Sequence, residues 1–280
     1  MITLETLVKK SDANKTTLDN TLREELHSFI LFYLNSKKFF FEGVLQGGTS
    51  LRIVYGNHRF SEDMDFVFVQ KDSRTFQLLE SLIDDITKQI QKWFPYIEVV
   101  SSKWQKSTDS LKRYQIRVNC KGLVSSVMIQ LEFVNVPAYD LTNPMLHYDV
   151  YSFSISVESL EEILMDKMVA FGLRAYIKGR DIWDIYFLKN DKNIDISYHK
   201  DKILLENKLT DYGVTLQTYK MKMKSNIEIF KEKGPIILKN ELIRFFNQDT
   251  SEITKTRLEE IVRYDLVFLN QFLLEIENEH

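Results

Sequence analysis

Two aspartates, Asp63 and Asp65, close the stretch GGTSLRIVYGNHRFSEDMDFVF that spans residues 47–68. Strand side chains alternate faces, so in an extended run both carboxylates point the same way. They repel each other unless a cation holds them, and Mg²⁺ suits that role as a hard ion that takes oxygen ligands together with substrate phosphates. A third carboxylate, Glu132, interrupts the apolar run IQLEF, where a charge is costly unless it is paired or binds a metal. Asp63, Asp65 and Glu132 on two neighbouring strands would form a two-metal site. One ion would activate an acceptor hydroxyl, and the other would hold a triphosphate and its leaving pyrophosphate. Gly47 and Gly48 form a turn ahead of a short helical run, and the backbone N–H groups of such a turn suit a phosphate chain. The constellation points to nucleotidyl transfer. The plainer readings are a D-x-D at a surface edge and an ordinary Gly-Gly turn.

A second group lies downstream. Leu160, Ile163, Leu164 and Phe171 mark the buried stripe of a helix, and Lys167 falls on that stripe, with Arg174 one step further. Lys167 either snorkels out of the apolar face or presents its compact charge to nucleotide phosphates. In RDIWDIYF, residues 180–187, Asp181 and Asp184 share a helical face. Asp181 is either a helix cap after Gly179 or part of a site. Asp184, flanked by Ile182, Trp183, Ile185 and Tyr186, needs a cation, and Lys167 is a plausible one. Arg180 contacts phosphate or pairs with an acid.

These residues need elements to hold them. Apolar spacing predicts a helix over 17–36, with Leu22, Leu26, Phe29, Ile30 and Leu34 inward. A strand is expected over Phe39–Leu45, then a helix capped by Thr49 or Ser50 and running to about Tyr55, where Gly56 ends it. Met64–Val69 reads as the carboxylate strand and 74–93 as a helix. Arg113–Cys120 and Leu123–Val134 read as a strand pair around a Lys121-Gly122 turn, 135–149 as a loop and 151–157 as a strand. After Ser159 the period is helical throughout, with helices expected at 159–177, 181–189, 200–208, 214–232, 236–247 and 253–277. The period change sets expected domains at 1–157 and 158–280, with the active site in the cleft between them.

The 280 residues, 44% hydrophobic and 28% charged, fit a globular protein with proper cores. A net charge of −3 gives no global case for nucleic-acid binding. Residues 199–241 carry nine lysines against six acids, with Lys220, Lys222 and Lys224 clustered; this is either a phosphate-contacting patch or a solvated helix face. The single cysteine, Cys120, excludes an internal disulfide and a cysteine-rich zinc site. The opening MITLETLVKKSDANK lacks a signal-peptide core, and no apolar run is long enough to span a membrane. The expected location is the cytoplasm.

GGTSLRIVYG followed by RFSEDMDF resembles the opening motif of the AbiEii/AbiGii toxin family of nucleotidyltransferases, in the DNA polymerase β-like superfamily. LEEILMDKMVAFGLRAYIKGRDIWDIYFL is similar to that family's second signature, a lysine helix followed by an Arg-Asp-x-x-Asp helix. The resemblance, bracketing residues 47–188, implies an α+β fold: a polymerase β-like nucleotidyltransferase domain with a mixed sheet, then an α-helical C-terminal domain. It implies Asp63 and Asp65 as metal ligands, with Glu132 the third carboxylate, and Lys167 and Asp184 as further active-site residues. The nucleotide-binding set it implies is Gly47, Gly48, Thr49, Arg52, Ser61 and Asp181; in some relatives such a serine is a phosphorylation target. The expected substrates are an NTP, with two Mg²⁺ ions, and an RNA acceptor, the 3′ end of tRNA, and the expected partner is a cognate antitoxin. The alternatives are a transferase acting on a small-molecule or protein hydroxyl, and a non-catalytic nucleotide-binding regulator.

Overall fold

Thr3 and Thr17 start the first two helices, α1 (Leu4–Ala13) and α2 (Leu18–Ser36). Each hydroxyl accepts from the backbone N–H three residues on, which satisfies a first-turn donor that has no partner inside the helix. The computed structural model describes residues 3–120, 126–246 and 253–279, and the chain divides into two units, 1–158 and 159–280. Leu22, Leu26, Phe29, Ile30 and Leu34 are all buried on α2. α1 was not anticipated; it buries little beyond Leu7, too thin a stripe to announce itself.

The strands of the first unit are β1 (Gly43–Gln46), β2 (Asp63–Phe68), β3 (Ile97–Ser107), β4 (Leu111–Cys120), β5 (Val127–Pro137), β6 (Leu141–Thr142), β7 (Met145–Tyr148), β8 (Tyr151–Ser154) and β9 (Val157–Glu158). One sheet has the order β3-β4-β5-β2-β1-β9-β6, and β7 and β8 form a separate ribbon. β2 runs antiparallel to β1 and parallel to β5, so the sheet is mixed. Its covered face is aromatic: Phe66 stacks on Phe133 at 5.0 Å, and Phe39 meets Phe66 edge-on at 5.2 Å.

Several expected elements are replaced. Phe39–Phe41 is a 3₁₀ turn, with the strand beginning only at Gly43. The ring of Phe39 lies within 2.2 Å of where a Cβ on Gly43 would stand, so the glycine lets the turn fold back on the strand. The single helix expected over 74–93 is three short ones: α4 (Arg74–Gln77), α5 (Leu79–Leu82) and α6 (Ile86–Trp93). The supposed loop 135–149 holds the end of β5, β6 and β7, and the strand expected over 151–157 is split into β8 and β9. The Lys121-Gly122 turn lies outside the described residues.

The second unit contains α7 (Leu160–Leu173), α8 (Gly179–Tyr186), a π-turn Phe187–Asp191, α9 (Tyr198–Asp211), α10 (Leu216–Leu242) and α11 (Lys255–Glu277). α10 passes through Gly234-Pro235 without stopping, so the helices expected at 214–232 and 236–247 are one up to Leu242; residue 247 lies outside the described residues. A Cβ on Gly234 would meet Val262 of α11 at 2.7 Å. The glycine there admits a neighbouring helix rather than ending its own. A mixed sheet followed by a helical region makes the chain α+β. Among the described residues no helix is long and apolar enough to cross a membrane.

Candidate active site

The pleat of β2 sorts its side chains. Met64 and Phe66 are fully buried, while Asp63 and Asp65 stand half-buried on the opposite face. Asp65 pairs with Gln46 of β1 on one side and Glu132 of β5 on the other; Asp63 pairs with Gln130. Paired residues share a face, so Asp65 and Glu132 are neighbours on the open side of the sheet. Glu132 has a protein partner, Arg113 of β4, whose Nε and Nη2 lie 2.7 and 2.5 Å from Oε2. Among the described residues Oε1 accepts no hydrogen bond.

The helix α3 (Gly47–Ile53) begins directly at Gly47, with Gln46 in the cap position, so neither Thr49 nor Ser50 caps it. Their hydroxyls go elsewhere. Thr49 donates to the carbonyl of Asp63, tying the helix to the carboxylate strand, and Ser50 donates to the carbonyl of Gly47. Gly47 has φ +73°, and a Cβ there would stand 3.0 Å from Oδ2 of Asp65. A Cβ on Gly48 would stand 2.6 Å from Nη2 of Arg59 and 3.0 Å from the hydroxyl of Ser61. The glycine pair therefore lets backbone, guanidinium, hydroxyl and carboxylate crowd together.

Arg59 was not singled out by sequence reasoning. It is almost fully buried and donates to the carbonyl of Phe60 at 3.1 Å. Its signal was its place two residues before Ser61, next to the glycine turn only once folded. Arg52, expected on the nucleotide, is bound up in structure: it pairs with Glu24 of α2, donates to the carbonyls of Asn57 and His58 at 3.0 Å each, and lies 4.4 Å from the centre of the Phe60 ring. Beneath the 60s loop, His27 of α2 is fully buried. Burial and then the nearby Arg23 push its pKa down to about 3, against a hydrogen bond to the backbone of Glu62.

The second motif forms an ion cluster inside the helical unit. Lys167 Nζ lies 2.8 Å from Oδ2 of Asp184 and 3.3 Å from Oδ1 of Asp181. Arg174 Nε approaches Oδ2 of Asp181 at 2.8 Å, a charge contact without hydrogen-bond alignment. Asp184 is entirely buried and Lys167 is 12% exposed. The two cations match the two carboxylates, as buried charges require. Gly179 brings α8 against α10: a Cβ there would meet the carbonyl of Ile237 at 2.9 Å, and the N–H of Arg180 reaches Glu241 at 3.3 Å. A second buried cluster on α7 joins Glu162 and Asp166 to Lys208 of α9 at 2.5 and 2.9 Å. Of the clustered lysines, Lys220 and Lys224 reach the end of α11, at Ile276 and Glu277.

Among the described residues no three His, Cys, Asp or Glu side chains converge into a ready-made metal cage. The donors on β2 nevertheless fit Mg²⁺, which binds through one or two carboxylates and completes its shell with water and substrate phosphates. They are oxygen-only, on one face and partly open.

The fold is thus a mixed sheet with a D-x-D strand beside a glycine-started helix, followed by helices. The chain matches the family model described as nucleotidyl transferase AbiEii toxin, type IV TA system, over residues 30–262; it belongs to that family of toxin–antitoxin nucleotidyltransferases. The crystal structure of JHP933 from Helicobacter pylori shares the fold at 20% identity and a TM-score of 0.51, covering 90% of this chain and 93% of that one. Another H. pylori structure, described as a candidate nucleotidyltransferase, aligns at 22% identity and TM-score 0.49 over 85% and 89% of the two chains. An antigenic nucleotidyltransferase-like protein from Paracoccidioides brasiliensis aligns at 18% and 0.41 over 79% and 94%. No curated protein matches the chain.

Proposed function

We propose that this toxin transfers a nucleoside monophosphate from an NTP to a hydroxyl at the 3′ end of tRNA, which blocks translation until its antitoxin neutralises it. The observation that carries the reading is the pair Asp63 and Asp65 on the open face of β2, with Asp65 pressed against Gly47 and flanked by Glu132. The acceptor oxygen attacks the α-phosphorus, the bond to the bridging oxygen of the β-phosphate breaks, and pyrophosphate leaves. Two Mg²⁺ ions, when bound, would acidify the acceptor hydroxyl and offset the charge of the triphosphate. Asp63 and Asp65 would hold the cations. Glu132, with Oε2 fixed by Arg113, keeps Oε1 for a cation or for the hydroxyl proton. Gly47, Gly48 and Ser61 line the phosphate turn, Thr49 and Arg52 brace it, and Arg59 brings a buried positive charge to it. Within the helical unit, Asp181 and Asp184 hold and orient the ammonium of Lys167, and we assign these three residues a further part in the reaction.

The test is label transfer. Purified protein is incubated with Mg²⁺, total tRNA and each α-³²P-labelled NTP in turn, beside Asp65→Asn. The expected result is label on tRNA from one NTP, absent with the variant. Label on the protein itself, or none from any NTP with folding intact, overturns the tRNA reading.

A further inference from the structure

The sheet does not end at the carboxylates. The row through Asp65 and Glu132 continues to Arg113 on β4 and Lys106 on β3; the row through Asp63 and Gln130 continues to Gln115 and Lys103. A third row holds Met128, Arg117 and Ser101. Directly paired residues share a face, so these side chains stand on the same open side as the catalytic pair. The other side is core, with Tyr114, Ile116, Val118, Ile129, Leu131 and Phe133 buried. Strands lie about 4.8 Å apart, so Lys106 is about 14 Å from Asp65 across the sheet.

Beyond the carboxylates the charge on this side is mainly positive. Lys103, Lys106 and Arg117 are exposed, and among the described residues none makes an ion pair. Arg113 already matches Glu132, and the remaining acid of the rows, Glu98, lies at the far end opposite Asn119. Lysines on an edge strand also serve to discourage edge-to-edge pairing, which accounts for Lys103 and Lys106 on β3. It does not account for Arg117, which is on β4 inside the sheet, nor for a cationic strip that leads to the carboxylates in a chain of net charge −3. The strip has no aromatic side chain to stack on a base: Trp104 and Tyr114 meet at 5.0 Å on the opposite side.

We infer that the open face of β3, β4 and β5 is the track for the acceptor RNA, with Lys103, Lys106 and Arg117 holding backbone phosphates and delivering the 3′ end to the carboxylates. This rests on the RNA-acceptor reading above and deepens it. Contacts of this kind set position without reading sequence, so binding along the track is salt-dependent and sequence-tolerant.

The experiment compares the full-length protein with Lys103→Ala/Lys106→Ala/Arg117→Ala and with a control triple on α10, Lys222→Ala/Lys231→Ala/Lys233→Ala. The readouts are affinity for end-labelled tRNA against salt, NTP affinity, melting temperature and transfer kinetics. The sheet triple is expected to weaken tRNA binding at least tenfold and to reduce the slope of log K against log salt by about 2, at roughly 0.7 per lost phosphate contact. It should raise KM for tRNA and leave kcat, NTP affinity and melting unchanged, while the control triple stays near wild type. Unchanged tRNA affinity in the sheet triple, or an equal loss in the control, overturns the track and leaves the RNA-acceptor reading intact. Failure of the wild-type protein to bind tRNA overturns both.

Discussion

The carboxylate of Asp65 rests against Gly47: its Oδ2 stands 3.0 Å from the point a Cβ would occupy. Two constraints meet at this glycine, a positive φ of 73° and the close approach of the carboxylate. Gly56 has the first constraint alone, with φ +77° and nothing within 4 Å of its Cβ position. Gly56→Ala therefore reports the backbone penalty, about 1 kcal/mol. Gly47→Ala should show a similar loss in denaturant unfolding but a far larger loss of nucleotidyl transfer, because Asp65 must move. Equal transfer rates in the two variants would show that the contact with Asp65 has no part in the chemistry.

Lys167 and Asp184 are buried together, so removing the lysine leaves the buried carboxylate without this counter-charge. Lys167→Met should destabilise the protein by about 3 kcal/mol. Adding Asp184→Asn should recover part of that loss, since the amide needs no counter-charge. A double-mutant cycle by urea unfolding checks this, and strict additivity would contradict direct pairing.

His27 predicts an acid-side instability. Its pKa is pushed down to about 3 in the folded protein, against 6.5 when unfolded. Between those values the unfolded chain binds more protons, so stability from this group is present above pH 6.5 and drains away as pH falls towards 3. At pH 5 the loss is about 2 kcal/mol. His27→Gln should flatten that part of the stability–pH curve.

Asp265 on α11 predicts the opposite slope. It is wholly buried, with neither oxygen hydrogen-bonded among the described residues, and burial holds its pKa well above the usual carboxylate range. Here the folded state binds more protons, so stability is full below the unfolded value of 3.8 and falls as pH rises. Asp265→Asn should melt higher than wild type at pH 7, and the gap should close towards pH 4.

The sequence carried the parts of this molecule that rest on local rules. The stripe of α2 follows from a helical period, and the shared face of Asp63 and Asp65 follows from a period of two. β3 was invisible because Ile97–Ser107 is an edge strand, largely exposed on both sides, so no apolar alternation marks it. Gly234-Pro235 read as a break because composition does not reveal that Val262 needs the space. At the site, the aspartates and glycines were legible. The clasp of Arg113 on Glu132 and the approach of Arg59 to Gly48 were not, because both depend on register and packing between distant segments.

The neighbours of β2 have a consequence for how the toxin is made. Its antiparallel partner β1 precedes it closely in the chain, but its parallel partner β5 does not begin until Val127. Until that segment has left the ribosome, the carboxylate strand is a bare edge without Glu132, and pairing across so long a separation is slow to form. If Glu132 acts as proposed, a chain ending before β5 carries Asp63 and Asp65 without the third carboxylate and transfers no nucleotide. On that reading the order of synthesis delays the chemistry, since the third carboxylate of the site is the last to be made.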